Sequence, residues 1–308
     1  MPERLLVVTD PLNDCDDMVA LYMLKDPRLQ CEGVITTYGN AKTRAKGARK
    51  LLDIMDKNDI PVFYGNHSKA RPHSPYHMHE AAYGFLTDSE LKATDKEFGI
   101  NPDGEEFMVH TIKTNPGDIS ILSIAPLTVL TTVLHSVDPK LIKSVYMMGG
   151  HVGGYSQKTT MHYNEALMPE YNFECDPQAA REVLGSGVGI KMIGKNLWSR
   201  DLFTLEDFEQ LADGSAAQKT ILSMVKARYT HNKRNLEPLG IKVETLMYDP
   251  VTLGTVLFPE LYEFRKMDVC IDETGLTTAE TGTGNITAAV AANLPAVKKN
   301  LLELINKK

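Results

Sequence analysis

The chain has 308 residues, and at a prior of roughly 150 residues per domain that allows one large or two ordinary domains. Hydrophobic residues make up 43 % and charged residues 24 %, an ordinary soluble mix, and a chain this long buries about 75 % of the surface its unfolded form exposes without disulfides or a structural metal. A formal net charge of −7 with no long block of basic residues argues against nucleic-acid binding, which draws its affinity largely from phosphate neutralisation.

Apolar runs of strand length alternate with amphipathic segments of helix length. In chain order the strand candidates are Leu5–Val8, Gly33–Thr37, Val62–Phe63, Ser120–Ile124, Ser144–Met148, Ile190–Ile193 and Met267–Ile271. Between them the periodicity predicts helices at Asp17–Leu24, Ala41–Asp56, Ala125–Ser136, Pro177–Leu184 and Leu205–Leu211. Such alternation predicts an α/β fold, a mostly parallel central sheet flanked by helices, with ligands outside the carboxyl ends of the strands. No repeat, low-complexity tract or Gly/Ser linker divides the chain, so one domain over residues 1–308 is expected. His67–Pro102 and Gly149–Pro169 lack periodicity and read as active-site lids or insertions.

Cys15, Cys31, Cys175 and Cys270 form no C-x-x-C pair, which points to a reduced, cytoplasmic protein. The first apolar run is too short for a signal segment or a membrane span.

The segment Val8-Thr9-Asp10-Pro11-Leu12-Asn13-Asp14-Cys15-Asp16-Asp17 puts four carboxylates between a buried-type strand and a helix opening near Asp16. Like charges packed this closely call for a cation, and hard oxygen donors suit calcium or magnesium. Capping and the helix dipole account for about two of the four. An EF-hand counted from Asp10 needs Gly and Glu where Cys15 and Leu21 stand, and a D-x-D phosphatase motif fails at Leu12.

This segment resembles D-x-D-P-G-x-D-D, the opening signature of the nucleoside hydrolases, the inosine-uridine-preferring N-ribohydrolases. Thr36-Thr37-Tyr38-Gly39-Asn40 is similar to T-x-x-G-N, Ala125-Pro126-Leu127-Thr128 to G-P-L-T, and Met148-Gly149-Gly150 to M-G-G. Glu170-Tyr171-Asn172 with Asp176-Pro177-Gln178-Ala179-Ala180 resembles E-F-N…D-P-E-A-A, and Tyr248-Asp249-Pro250 resembles the late H-D-P. The motifs run in the family's order over essentially the whole chain. The resemblance implies a nucleoside hydrolase-like, Rossmann-type open sheet and Ca2+-dependent hydrolysis of a small-molecule ribonucleoside to free base and ribose. In it a water held on the ion attacks the anomeric carbon through an oxocarbenium-like state. It also implies a homo-oligomer, dimer or tetramer, in nucleoside salvage, with no membrane partner.

Residue by residue, Asp10 matches a metal ligand that is also the general base. Asp16 matches the acid that contacts ribose, and Asp17, the Ile124 carbonyl and Asp249 match the remaining metal ligands. Asn40, Asn164, Glu170, Asn172 and Asp249 match the ribose-binding set. Convergent Asn and Glu side chains suit three sugar hydroxyls, and a cation-like transition state favours surrounding carboxylates. Taken alone, Asn40 also reads as a turn residue, Asp249 as a helix N-cap with Pro at N1, and Glu170 and Asn172 as sharing one face of an extended segment.

Three departures bear on specificity. The acidic loop is two residues longer than the signature, which adds Asn13 and makes Asp14 an outside candidate ligand. Tyr248 replaces the histidine that contacts the leaving base, and tyrosine, with a pKa near 10, is the poorer acid. His231, Tyr229 or His79 is then a candidate proton donor, and Trp198 a candidate to stack on a purine. The loop before Asn164 is lengthened, so Tyr155, His162 or Tyr163 reshapes the base pocket. Two alternatives stay open: a non-catalytic nucleoside- or ribose-binding protein on the same scaffold, and a metal-dependent phosphohydrolase, disfavoured because no Gly-rich or Lys/Arg cradle follows the strands.

Overall fold

The structure, a computed structural model, describes residues 1–12, 14–66, 84–152, 168–197, 203–239, 245, 247–284 and 286–307. Its strands are β1 (Glu3–Thr9), β2 (Leu29–Thr36), β3 (Val62–Tyr64), β4 (Ile100–Asn101), β5 (Ser120–Ile124), β6 (Ser144–Met148), β7 (Ile190–Ile193), β8 (Tyr262–Ile271), β9 (Thr277–Thr281) and β10 (Ile286–Ala292). Its helices are α1 (Asp16–Met23), α2 (Ala41–Ile54), α3 (Asp88–Lys92), α4 (Asp95–Phe98), α5 (Gly104–Thr114), α6 (Thr128–Leu134), α7 (Tyr171–Cys175), α8 (Pro177–Gly185), α9 (Glu206–Glu209), α10 (Ala216–Leu236), α11 (Tyr248–Leu257) and α12 (Leu294–Asn306).

The strands join in the order β4-β3-β2-β1-β5-β6-β7-β10-β8-β9. Pairing is parallel from β4 to β10, and β8 and β9 add antiparallel strands at one edge. Side chains alternate across β1, so its two faces feed two cores. Leu5 and Val7 pack with Met18 and Leu21 of α1, Leu51 of α2, Ile221 and Val225 of α10, Leu253 of α11 and Leu301 of α12. Leu6 and Val8 pack with Met108 and Ile112 of α5, Leu130 and Val133 of α6 and Val183 of α8. Burial on both faces explains why the central strands read as continuous apolar runs.

From β1 the chain builds outward through β2, β3 and β4, then returns to the other side of β1 with β5 and continues to β6 and β7. Strand order therefore reverses between β1 and β5, which opens a crevice at their carboxyl ends. The register seats Thr9 beside Thr36 on one side and beside Ile124 on the other.

The sequence reading of β5, β6 and β7 matches the observed bounds, whereas β8 begins five residues earlier, at Tyr262 rather than Met267. That first half of β8 is edge strand with alternating exposure, so it lacks an apolar run. Strands β9 and β10 and helices α5 and α10 were not among the candidates. Glu170 and Asn172 do not share an extended face either, because Glu170 is the N-cap of α7 and Asn172 lies in its first turn. The four cysteines are free thiols, and no helix among the described residues is long and apolar enough to cross a membrane.

Candidate active site

Strand β1 ends at Thr9 because the chain must turn at the crevice, and Asp10 is the first residue beyond it. The turn holds Leu12 at φ 70° and leads to Cys15, the N-cap of α1, so Asp16 and Asp17 occupy the first helical turn. Carboxylates are favoured there by the helix dipole. Asp17 Oδ1 accepts from Thr9 Oγ1 at 2.5 Å and from the Asp10 amide at 3.0 Å, which folds the loop back onto its own strand. Asp16 Oδ2 accepts from the amides of Tyr248 (3.0 Å) and Asp249 (3.4 Å), the first turn of α11. Asp16 thereby caps a helix 233 residues away and carries Asp249 into the crevice.

Asp16, Asp17 and Asp249 are buried and offer carboxylate oxygens that all lie within 4.8 Å of one another. Asp10 stands outside that triad and couples to it electrostatically. Burial pushes the Asp10 carboxyl up to about 7, with Asp16, Asp14 and Glu170 adding to the push and Arg44 opposing it. Burial likewise raises Asp16, Asp17 and Asp249 well above the usual carboxylate range, and their mutual repulsion raises them further. Four buried like charges are stable together only if protonated or matched by a cation, and this all-oxygen donor set fits a hard divalent ion. Ile124, whose carbonyl is the expected backbone ligand, ends β5 directly beside Thr9.

Arg44 of α2, fully buried, supports the loop from beneath. Its Nη1 donates to the carbonyls of Asp10 and of Pro11, the latter at 2.7 Å, and its Nε donates to the Tyr38 carbonyl at 2.8 Å. Tyr38 sits at φ 61°, an unfavourable region for a bulky side chain, and strain of this kind is found where surrounding structure over-determines the backbone. Its hydroxyl accepts from Tyr171 at 3.1 Å.

On the far side of the crevice, buried Glu170 accepts from the amides of Gly150 (3.0 Å), Asn172 (3.0 Å) and Phe173 (3.2 Å). Burial raises its carboxyl, while these amides and Lys195 favour the charged form. Lys195, just past β7, donates to the carbonyls of Met168 and Pro169 and so fixes the segment that delivers Glu170. Asn172 Nδ2 donates to the Met148 carbonyl at 3.2 Å. A Cβ on Gly149 would lie 2.3 Å from Phe173 Cε1, so the glycine lets α7 close on β6.

Other expected residues fall differently. Asn40 is exposed and caps α2 at φ −90°, its Oδ1 accepting from the Thr43 amide at 3.1 Å, so it is a helix cap and not a positive-φ turn residue. Asp249 is not an N-cap, since α11 starts one residue earlier, at Tyr248, after the cap Met247. Tyr248 is half-buried at that helix start. Asp14 pairs with Arg228 of α10. Burial and Arg228 lower the His231 imidazole, making it a poorer proton donor at neutral pH, and Tyr229 lines a groove of about 670 Å³ with Lys226 and Lys233. Asn164, Trp198, His79, Tyr155, His162, Tyr163 and Asn13 lie outside the described residues.

Sequence reasoning missed Arg44, Arg228 and Lys195. A signal existed for two of them: Arg44, Ala48 and Leu51 share a helical stripe, as do Ile221, Val225, Arg228 and Asn232, so each arginine occupies a core-facing position.

The acid cluster at the switch point of this open sheet is gathered from both ends of the chain. The chain belongs to the inosine-uridine preferring nucleoside hydrolase family, whose model matches residues 5–299. It is 25 % identical over 296 residues to probable uridine nucleosidase 2 of Arabidopsis thaliana, covering 89 % of this chain and 84 % of that one. It is 26 % identical over 265 residues to the pyrimidine-specific ribonucleoside hydrolase RihA of Escherichia coli, covering 82 % and 80 %. Its fold is that of the plant nucleoside hydrolase PpNRh1 (TM-score 0.81, 21 % identity, 100 % of both chains) and of a purine-preferring ribonucleoside hydrolase from Gardnerella vaginalis (TM-score 0.79, 21 % identity, 98 % of both).

Proposed function

We propose that this chain, acting as one catalytic unit, hydrolyses the N-glycosidic bond of a ribonucleoside to free base and ribose with the help of Ca2+. The observation that carries the reading is the convergence of buried Asp16, Asp17 and Asp249 within 4.8 Å, beside Asp10, at the switch point of the sheet. Asp10, Asp17, Asp249 and the Ile124 carbonyl are the groups that hold the ion. Bound there, a divalent cation supplies Lewis-acid activation of water and a grip on the vicinal diol. Asp10 would take the proton of the attacking water, because the cation would hold its carboxylate ionised and lower the pKa of that water. Asp16 and Asp249 orient the sugar hydroxyls, with Asn40, Asn164, Glu170 and Asn172 completing the ribose contacts. The surrounding carboxylates stabilise positive charge developing on the ribosyl ring.

Tyr248, half-buried at the start of α11, is the residue expected to contact the departing base, and Trp198 the candidate to stack on a purine. With a tyrosine there the base leaves with less proton assistance, so the choice among bases rests on the leaving group itself. Uridine is the first substrate to test, since the similar plant and bacterial proteins are named for uridine and pyrimidine nucleosides. The working form is a homo-oligomer.

The test is reducing-sugar release from a panel led by uridine and inosine, with EDTA and with Ca2+ restored. Ribose release abolished by chelation and lowered roughly 10³-fold or more by Asp10→Ala is expected. Nucleoside binding without release would leave the scaffold as a binding protein, and full turnover by Asp10→Ala would remove the proposed base.

A further inference from the structure

The acidic loop carries one carboxylate, Asp14, beyond those assigned to the ion and the sugar. Asp14 belongs to the lengthened part of the loop, and its charge adds to the upward push on Asp10, Asp16 and Asp249. Yet it is absent from the buried triad whose oxygens lie within 4.8 Å. Its own oxygens are both engaged by the protein. Oδ1 accepts from the Cys15 amide at 2.7 Å and Oδ2 from Arg228 Nη2 at 2.9 Å. The pair is largely shielded from water, with side chains 20 % and 8 % exposed, so it is only weakly screened. Arg228 reaches the loop from α10, on the stripe of Ile221 and Val225 that packs against the core.

We infer that Arg228 is a positioning residue that holds Asp14 back from the cation site, so that Asp14 adds no further carboxylate to the ion's ligands. The inference rests on the reading of Asp10, Asp17, Asp249 and the Ile124 carbonyl as the cation site. The signs follow from Coulomb's law. Removing Arg228 alone frees one more negative charge beside the ion and tightens its binding. Removing the Asp14 charge alone leaves a buried cation and weakens it. Removing both subtracts a neutral pair. A ligand role for Asp14 predicts a different third result, because the double variant would then lack a ligand.

The experiment is calorimetric titration of the substrate-free protein with CaCl2 for wild type, Arg228→Gln, Asp14→Asn and the double variant. The expected result is a shift of roughly tenfold or more toward tighter binding for Arg228→Gln, a comparable shift toward weaker binding for Asp14→Asn, and a double variant within about threefold of wild type. A double variant as weak as Asp14→Asn overturns the inference by making Asp14 a ligand, and so does the absence of any shift in the single variants. If Arg228→Gln fails to fold, Asp14→Asn against the double variant decides, since the Asn–Gln pair retains a hydrogen bond in place of the ion pair. Failure of wild type to bind Ca2+ overturns the underlying reading of the site instead, a result distinct from any ordering among the variants.

Discussion

Asp10, Asp16, Asp17 and Asp249 hold protons more tightly in the folded protein than acids do in an unfolded chain, where aspartate titrates near about 3.9. The cation-free native state therefore binds more protons than the unfolded state at mildly acidic pH. Its stability is fullest where these acids are protonated and falls as pH rises through the unfolded value toward the folded one, about 7 for Asp10. In the proposed reading Ca2+ would take the place of those protons, so its affinity and its stabilising effect would grow over the same window. Urea denaturation in EDTA from about pH 5 to about pH 7.5 is expected to show a falling midpoint, with the gap to the Ca2+-loaded protein widening. A gap constant with pH would contradict the electrostatic account. At this scale the sequence was most legible where chemistry is local: Asp10, Asp16 and Asp17 declare themselves by spacing after a buried strand. Asp249 was legible only through the family's motif order, because nothing local marks a residue that Asp16 captures from 233 positions away.

Helix α2 shows what one element does for several loops. Arg44 donates to the carbonyls of Asp10, Pro11 and Tyr38, Lys46 to those of Glu90, Leu91 and Ala93, and Arg49 to those of Lys57 and Ile60. Cations turned inward thus satisfy carbonyls at three chain turns, and Lys46 closes the end of α3 as a helix C-terminus favours. Arg44→Met removes the donor to three carbonyls beside the site and is expected to cost about 3 kcal/mol in urea unfolding. It is also expected to raise the Ca2+ concentration needed for turnover, and an unchanged midpoint would show that the clamp adds no net stability. Arg and Lys normally face water, so the only sequence sign of Arg44's role is its core-facing position on the α2 stripe. Strand β10 was hidden for another reason. Its Ala-rich segment Ile286–Ala292 lacks a local strand signature and becomes a strand because β7 and β8 flank it.

For the whole molecule, the parallel sheet and its helices were readable from the alternation of apolar runs, since both faces of the sheet must be covered. The antiparallel edge was not, because its long-range pairing carries little periodic signal. The β1–α1 loop contacts the start of α11, so the cation proposed for that site would bridge residues far apart in sequence. At a Ca2+ concentration about 100 times Kd, binding would add roughly 2.7 kcal/mol to the native state, which for a chain of this size would raise Tm by about 4 °C. Asp249→Asn is expected to abolish that rise, as read by calorimetry with and without EDTA, and a rise retained in the variant would place the ion elsewhere.

The most direct measurement is a crystal structure determined with Ca2+ and ribose bound. The account predicts one ion at the switch point, about 2.3–2.6 Å from oxygens of Asp10, Asp17, Asp249, the Ile124 carbonyl and two vicinal sugar hydroxyls, with Asp14 still paired to Arg228. An ion that leaves Asp249 out of its shell, or a ribose seated in the crevice with no ion beneath it, would contradict it.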